Sequence, residues 1–171
     1  MRSGNRQYSS VGFKMGLVHI VLFAAIFAIG SAEIAKSAPC GGPSEDTCSV
    51  GEVRIDPCVG GKTCTFKKGT NASLAFDFTP NFSTSKLKTM VYWANGAVEV
   101  GFDGFGSDDA CLYTGCPTVA GQAQSLNYNL HVGTKLPKGK YPLKWKVWNE
   151  DNENELCCFK ISIKLIKEKT D

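Results

Sequence analysis

Eight cysteines constrain this chain more than any other feature: Cys40, Cys48, Cys58, Cys64, Cys111, Cys116, Cys157 and Cys158. All of them follow an N-terminal stretch in which Arg2, Arg6 and Lys14 lead into an apolar run from Gly16 to Ile29, closed by Gly30, Ser31 and Ala32. A basic start, a short apolar run and a small-x-small end mark a secretory signal peptide. The run has 14 residues, short of the ~20 needed to cross a bilayer as a helix. Residues 1–32 are therefore expected to be removed, which leaves 33–171 as one domain, secreted and extracellular or delivered to the lysosome. In that compartment an even set of cysteines reads as four disulfides.

The spacing argues against a metal. Zinc sites use cysteine pairs at C-x2-C-like spacing, usually with histidines. Here five residues separate Cys58 from Cys64, four separate Cys111 from Cys116, and Cys157 adjoins Cys158. Cys58–Cys64 and Cys111–Cys116 can each close a small local loop. A vicinal Cys157–Cys158 bond would be strained, because neighbouring strand residues point to opposite faces. Each of the two is instead expected to reach back to one of Cys40 and Cys48, with either assignment open.

Apolar residues alternate with polar ones over four long stretches. Leu74, Phe76 and Phe78 form one stripe, Tyr128, Leu130 and Val132 a second. Tyr141, Leu143, Trp145 and Val147 form a third, and Phe159, Ile161, Ile163 and Leu165 a fourth. A period of two is the mark of a strand with one buried and one wet face. Shorter candidates lie at 52–56, 87–93 and 97–102, the last two joined through Asn95-Gly96, a strong hairpin turn signal. No segment carries a 3.6-residue apolar stripe. About seven short strands with turn clusters between them predict an all-β, two-sheet sandwich.

Charge and chemistry narrow the function. Without residues 1–32 the chain holds 16 basic and 16 acidic residues, so it lacks the dense positive field that nucleic acid requires. One histidine, His131, remains, on the polar face of its strand. A Ser-His-Asp or Cys-His system would have to use it, and the cysteines are committed elsewhere; a lone histidine on a wet strand face reads as a solvated surface residue. Asp108 and Asp109 are neighbours in a turn rather than two carboxylates across a cleft. No catalytic residue, metal or cofactor is expected, and the chain is not read as an enzyme. Lys144, Lys146, Lys160 and Lys164 alternate out of two strands and form either a basic face for anionic membranes or, as zero net charge favours, a solvated face balanced by acidic turns. Asn71-Ala72-Ser73 and Asn81-Phe82-Ser83 are sequons that make Asn71 and Asn81 glycosylation candidates; both flank one apolar stretch, so at least one is expected on an exposed edge or loop.

The run Asp109-Ala110-Cys111-Leu112-Tyr113-Thr114-Gly115-Cys116-Pro117 resembles the ML lipid-recognition family. So do Tyr141-Pro142-Leu143-Lys144-Trp145-Lys146-Val147, Cys158-Phe159-Lys160-Ile161 with Ile163, and upstream Arg54-Ile55-Asp56-Pro57-Cys58. The likeness runs from about Cys40 to Ile166 and looks closest to the arthropod branch with two adjacent C-terminal cysteines. It implies an immunoglobulin-like β-sandwich whose sheets part around a lipid. It also implies the pairs Cys58–Cys64, Cys111–Cys116 and Cys40–Cys158, with Cys48–Cys157 as an additional bridge.

At the pocket mouth the family pattern maps onto Phe102 or Phe105, onto Val132 and onto Tyr141. Two departures touch that rim, Gly101–Gly106 where sterol-transfer members are proline-rich and Ser162 where they carry proline, and both weigh against cholesterol itself. Taken with the apolar stripes, the expected lipid-binding residues are Phe76, Phe78, Phe102, Phe105, Val132, Tyr141, Trp145, Val147 and Ile163. The expected partner is a sterol, fatty acid or other small lipid bound by a monomer, with transient membrane or lipid-transfer receptor contact. Recognition of microbial lipids in innate immunity, and a cavity-free immunoglobulin-like interaction module, are the alternatives.

Overall fold

The computed structural model describes residues 32–58, 63–94, 99–102 and 105–167. The expected signal peptide, the Asn95-Gly96 turn and the Gly60-Gly61-Lys62 turn lie outside them. Seven strands of four or more residues make up the body: β3 (Cys48–Asp56), β4 (Cys64–Lys67), β5 (Asn71–Pro80), β6 (Leu87–Trp93), β8 (Gln124–His131), β9 (Gly139–Asn149) and β10 (Asn152–Ile166). Three two-residue strands, β1 (Glu33–Ile34), β2 (Ala38–Pro39) and β7 (Val100–Gly101), add to the edges. A five-residue helix, α1 (Pro43–Thr47), and a 3-10 turn at Ala110–Leu112 complete the described elements.

The strands form an immunoglobulin-like sandwich. One sheet has the order β1-β3-β5-β8, the other β2-β10-β9-β6-β7, with β4 added to β10. All pairings are antiparallel except β4 with β10, which run parallel through Ile163–Cys64 and Leu165–Phe66. Two strand expectations need correction. The segment 97–102 is strand only at Val100–Gly101 within its described part. The strand β4 was not anticipated, because four residues cannot establish an alternation and its partner lies about a hundred residues away.

Alternation does set the faces. Ala72, Leu74, Phe76 and Phe78 of β5 meet Leu143, Trp145 and Val147 of β9 and Phe159, Ile161, Ile163 and Leu165 of β10 in one buried core. Apolar burial of this kind is the main favourable term in folding, roughly 1.5–3 kcal/mol for each large side chain. The same period resolves the adjacent cysteines. Cys157 is in phase with Phe159 and faces inward, where it is bonded to Cys48 on β3 and joins the two sheets. Cys158 is in phase with Lys160, faces outward and is bonded to Cys40, next to β2. The local bridges Cys58–Cys64 and Cys111–Cys116 are also formed.

Candidate functional site

The interior is not uniformly filled. At its lower level, toward the β9–β10 hairpin, aromatic rings close the space between the sheets. Phe76 lies 4.8 Å from Phe159 and 5.8 Å from Trp145, ring centre to ring centre. Above this floor lies a cavity of about 40 Å³. Leu74, Tyr128 and Leu130 line it from the smaller sheet, and Val91, Leu143, Trp145, Ile161 and Ile163 from the larger. Phe66 of β4 and the loop residues Phe102 and Phe105 complete the wall. Neighbouring strands present lining residues at the same level, since Val91 is in register with Trp145, Leu143 with Ile161 and Leu74 with Tyr128.

The wall is apolar almost throughout. The indole Nε1–H of Trp145 donates to Thr89 Oγ1 at 2.8 Å, away from the cavity lining. The Tyr128 hydroxyl accepts from the Gly106 N–H at 2.7 Å, and burial pushes its phenol pKa up despite that bond. A second tyrosine, Tyr113, accepts from the Ser107 N–H at 3.1 Å. Gly106 lets the loop come close there, since a Cβ would stand 3.2 Å from the Tyr113 oxygen and 3.4 Å from that of Tyr128 and press on both hydroxyls. Two hydroxyls thus fasten the loop whose Phe105 stacks on Tyr128 at 4.5 Å and meets Trp145 edge-on at 5.4 Å. Phe105 is a plug seated between the sheets.

The rim is aromatic as well. Trp93 contacts Phe102 at 5.0 Å and Tyr141 at 5.1 Å. The Tyr141 hydroxyl donates to the Pro137 carbonyl, which ties the 133–138 loop to the rim. Val132 is buried but does not line the cavity, its N–H donating to Thr70 O and its carbonyl accepting from Gly69 N–H. Of the nine residues singled out from sequence, Phe102, Phe105, Trp145 and Ile163 line the cavity. Tyr141 stands at the rim. Phe76 belongs to the floor, with Phe78 and Val147 deeper in the packed half. Phe66, Leu74, Val91, Tyr128, Leu130, Leu143 and Ile161 complete the wall without having been singled out. On β5, β8, β9 and β10 they share faces with those that were; Leu74 and Leu143 lie two residues toward the open end from Phe76 and Trp145, and Leu130 and Ile161 two residues inward from Val132 and Ile163.

A broader hollow of about 520 Å³ lies on the outer face of the smaller sheet around Asp56, Asn71, Ser73, Asn129 and His131. It is open and half polar, unlike the interior cavity. There His131 Nδ1 lies 2.8 Å from Asn71 Oδ1. Among the described residues no group of three or more His, Cys, Asp or Glu is placed to hold a metal ion.

Half of the expected basic face is neutralised, at Lys144 and Lys146. Glu99 takes both Lys144 and Lys146, at 2.6 and 2.7 Å. Its carboxyl pKa is pushed up by burial and pulled down further by the two lysines, for a net lowering. The balancing acid is therefore a residue beside β7 rather than one of the turns.

The fold and its motifs have known relatives. The family model of the ML domain matches residues 35–165. An "MD-2-related lipid-recognition protein" of Manduca sexta is 49% identical over 154 residues, covering 90% of this chain and all of the relative. An "NPC intracellular cholesterol transporter 2 homolog a" of Drosophila melanogaster is 27% identical, over 61% of this chain and 72% of its own length. Among solved structures, a Niemann-Pick type C2 protein from Japanese carpenter ant superposes with a TM-score of 0.66 at 17% identity, over 77% of this chain and 99% of its own. With its inter-sheet cavity, its disulfide-closed sandwich and the match over nearly all described residues, the chain belongs to the ML domain family.

Proposed function

We propose that this protein carries a small hydrophobic ligand, a sterol, fatty acid or related lipid, with its apolar part held between the sheets. The observation that carries this reading is the wall itself, eleven side chains of which only Tyr128 brings a hydroxyl, above a floor where the same sheets are fully packed. Lipid sites are of this kind, apolar and shaped by few polar groups. The names of the moth and fly relatives, for lipid recognition and cholesterol transport, point the same way.

The present volume, about 40 Å³, is well below the ~300–1,000 Å³ of typical small-molecule sites. A ligand must therefore displace something. The loop holding Phe105 is the element to move, because single hydrogen bonds and ring contacts hold it, whereas the walls are held by continuous strand ladders. Recognition of acylated microbial glycolipids is the second reading and would use the same cavity; the moth relative's name speaks of lipid recognition rather than transport. In either case the protein acts by binding, not by catalysis, as a secreted monomer freed of residues 1–32. Asn71 and Asn81, both exposed at the two ends of β5, are the proposed glycan acceptors.

Native mass spectrometry of protein secreted from insect cells, followed by lipid extraction, tests the reading. A discrete adduct that extracts as a sterol, fatty acid or glycolipid supports it and names the class. An unliganded mass that stays unchanged against a mixed lipid panel would leave the filled sandwich, an interaction module, in its place. Leu130→Trp, which fills the cavity from a half-buried wall position, is expected to weaken ligand binding at least tenfold while thermal unfolding stays cooperative. Phe105→Ala is expected to strengthen it several-fold by removing the plug.

A further inference from the structure

Among the described lysines, Lys86, Lys88, Lys144 and Lys146 each pair with a carboxylate. The others form no ion pair among the described residues, and of these Lys138, Lys140, Lys164 and Lys167 are all exposed. These four gather at one place, the end of the sandwich where the cavity opens. Lys138, Lys164 and Lys167 line a single depression over Gly139 and Leu165. Lys140 is the direct cross-strand partner of Lys164. Like charges set opposite each other on neighbouring strands are destabilising, so folding alone does not account for this pair.

Among the described residues, the main cluster of acids lies elsewhere. Glu150, Asp151, Glu153 and Glu155 sit on or beside the β9–β10 turn, at the far end of an 11-residue strand that begins at Gly139. At about 3.3 Å per residue that is roughly 35 Å away, several times the ~8 Å screening length of physiological salt. The acidic tip therefore does little to cancel the field at the basic end. Asp56, the carboxylate on β3 nearest the open end, faces out from the other sheet.

We infer that the Lys138–Lys140–Lys164–Lys167 cluster docks the open end of the sandwich onto a bilayer of anionic phospholipids. Charge complementarity selects the occupant, and position selects a membrane over a free polyanion. The Tyr141 hydroxyl fastens the Pro137 carbonyl, next to Lys138, to the same aromatic rim that Trp93 and Phe102 form. Aromatic side chains favour the headgroup region, and basic clusters beside them are drawn to anionic leaflets. Docked in this way, the cavity opens toward the lipid phase and the acidic tip points away. The inference rests on the carrier reading for its purpose, but vesicle binding itself needs no ligand, so the two can fail separately.

The test is sedimentation of the secreted protein with vesicles of phosphatidylcholine, with and without about 30% phosphatidylserine, a content that gives the vesicle surface a negative potential. The expected result is binding to the anionic vesicles alone, lost in high salt. A variant with Lys138→Gln, Lys140→Gln, Lys164→Gln and Lys167→Gln is expected to bind at least tenfold more weakly. A charge-matched variant with Lys36→Gln, Lys86→Gln, Lys144→Gln and Lys160→Gln is expected to retain wild-type binding, with both variants checked by thermal unfolding. Equal loss in both variants would overturn the assignment to this end and leave only net charge. Equal binding to neutral vesicles, or no vesicle binding together with retention on heparin, would overturn the anionic bilayer as the partner.

Discussion

At the scale of single residues, Trp145 concentrates most of the interior chemistry. It is 3% exposed, its ring faces both the floor and the plug, and its one polar atom is satisfied by Thr89, itself fully buried. The Thr89 hydroxyl in turn donates to the Lys146 carbonyl at 3.0 Å. Trp145→Ala is expected to cost about 3–5 kcal/mol in urea unfolding. Thr89→Val keeps the shape and strands the indole N–H, for an expected cost of about 1–3 kcal/mol. On the outer face of the smaller sheet, Arg54 grips Asp77 with both guanidinium ends, and hydrogen bonding to Arg54 holds the Asp77 carboxyl at a pKa of about 2. Because the folded pKa is depressed, this stabilisation is present above the unfolded value of about 3.9 and disappears as pH falls toward 2. Asp77 is 43% exposed, so the increment is held below about 1 kcal/mol by solvent screening. Thermal melts of Asp77→Asn should therefore decline less than wild type between pH 5 and pH 2.

At the scale of elements, alternation tells which face of a strand is buried but nothing about position along it. Leu74 and Phe76 are equivalent in the pattern of β5, yet one lines the cavity and the other closes its floor. Leu143 and Val147 differ in the same way on β9. That is why the stripes of β5, β8, β9 and β10 were legible in the sequence while the extent of the site along them was not. Val91 lies in a strand that was legible, β6, but its role depends on register with Trp145 across β9. Phe66 was unreadable for another reason. Its strand exists through parallel pairing with the far end of β10, a contact that no local pattern announces. The plug was read as a glycine-rich loop with two phenylalanines, but its attachment to Tyr113 and Tyr128 needed coordinates. Gly106→Val should disturb both hydroxyl contacts, and the expected readout is a change in tryptophan fluorescence as Phe105 leaves Trp145.

At the scale of the whole molecule, the two long-range disulfides are not independent. Cys40–Cys158 and Cys48–Cys157 close loops of 118 and 109 residues. Once either is formed, the other closes only the small ring made by residues 40–48 and 157–158. In the chain-entropy model a ring of about eleven residues is worth about 3 kcal/mol and one of about 110 residues about 5. Removing either bridge by paired Cys→Ala changes should therefore cost about 3 kcal/mol, and removing both about 8. Chemical denaturation of the three variants checks this, and single losses near 5 kcal/mol would show that the bridges act separately.

The opposite orientations of Cys157 and Cys158 also make these bridges a proofreading device. A chain that bonded Cys48 to Cys158 would have to turn the last strand over, and a one-residue slip sends every side chain to the other face. Phe159, Ile161, Ile163 and Leu165 would then point into water, with Lys160 and Lys164 driven inside. The swapped isomer is thus a visibly misassembled molecule, sticky and open to reduction, rather than a silent variant of the native one. Any folding check that senses exposed apolar surface can reject it without reading a single bond.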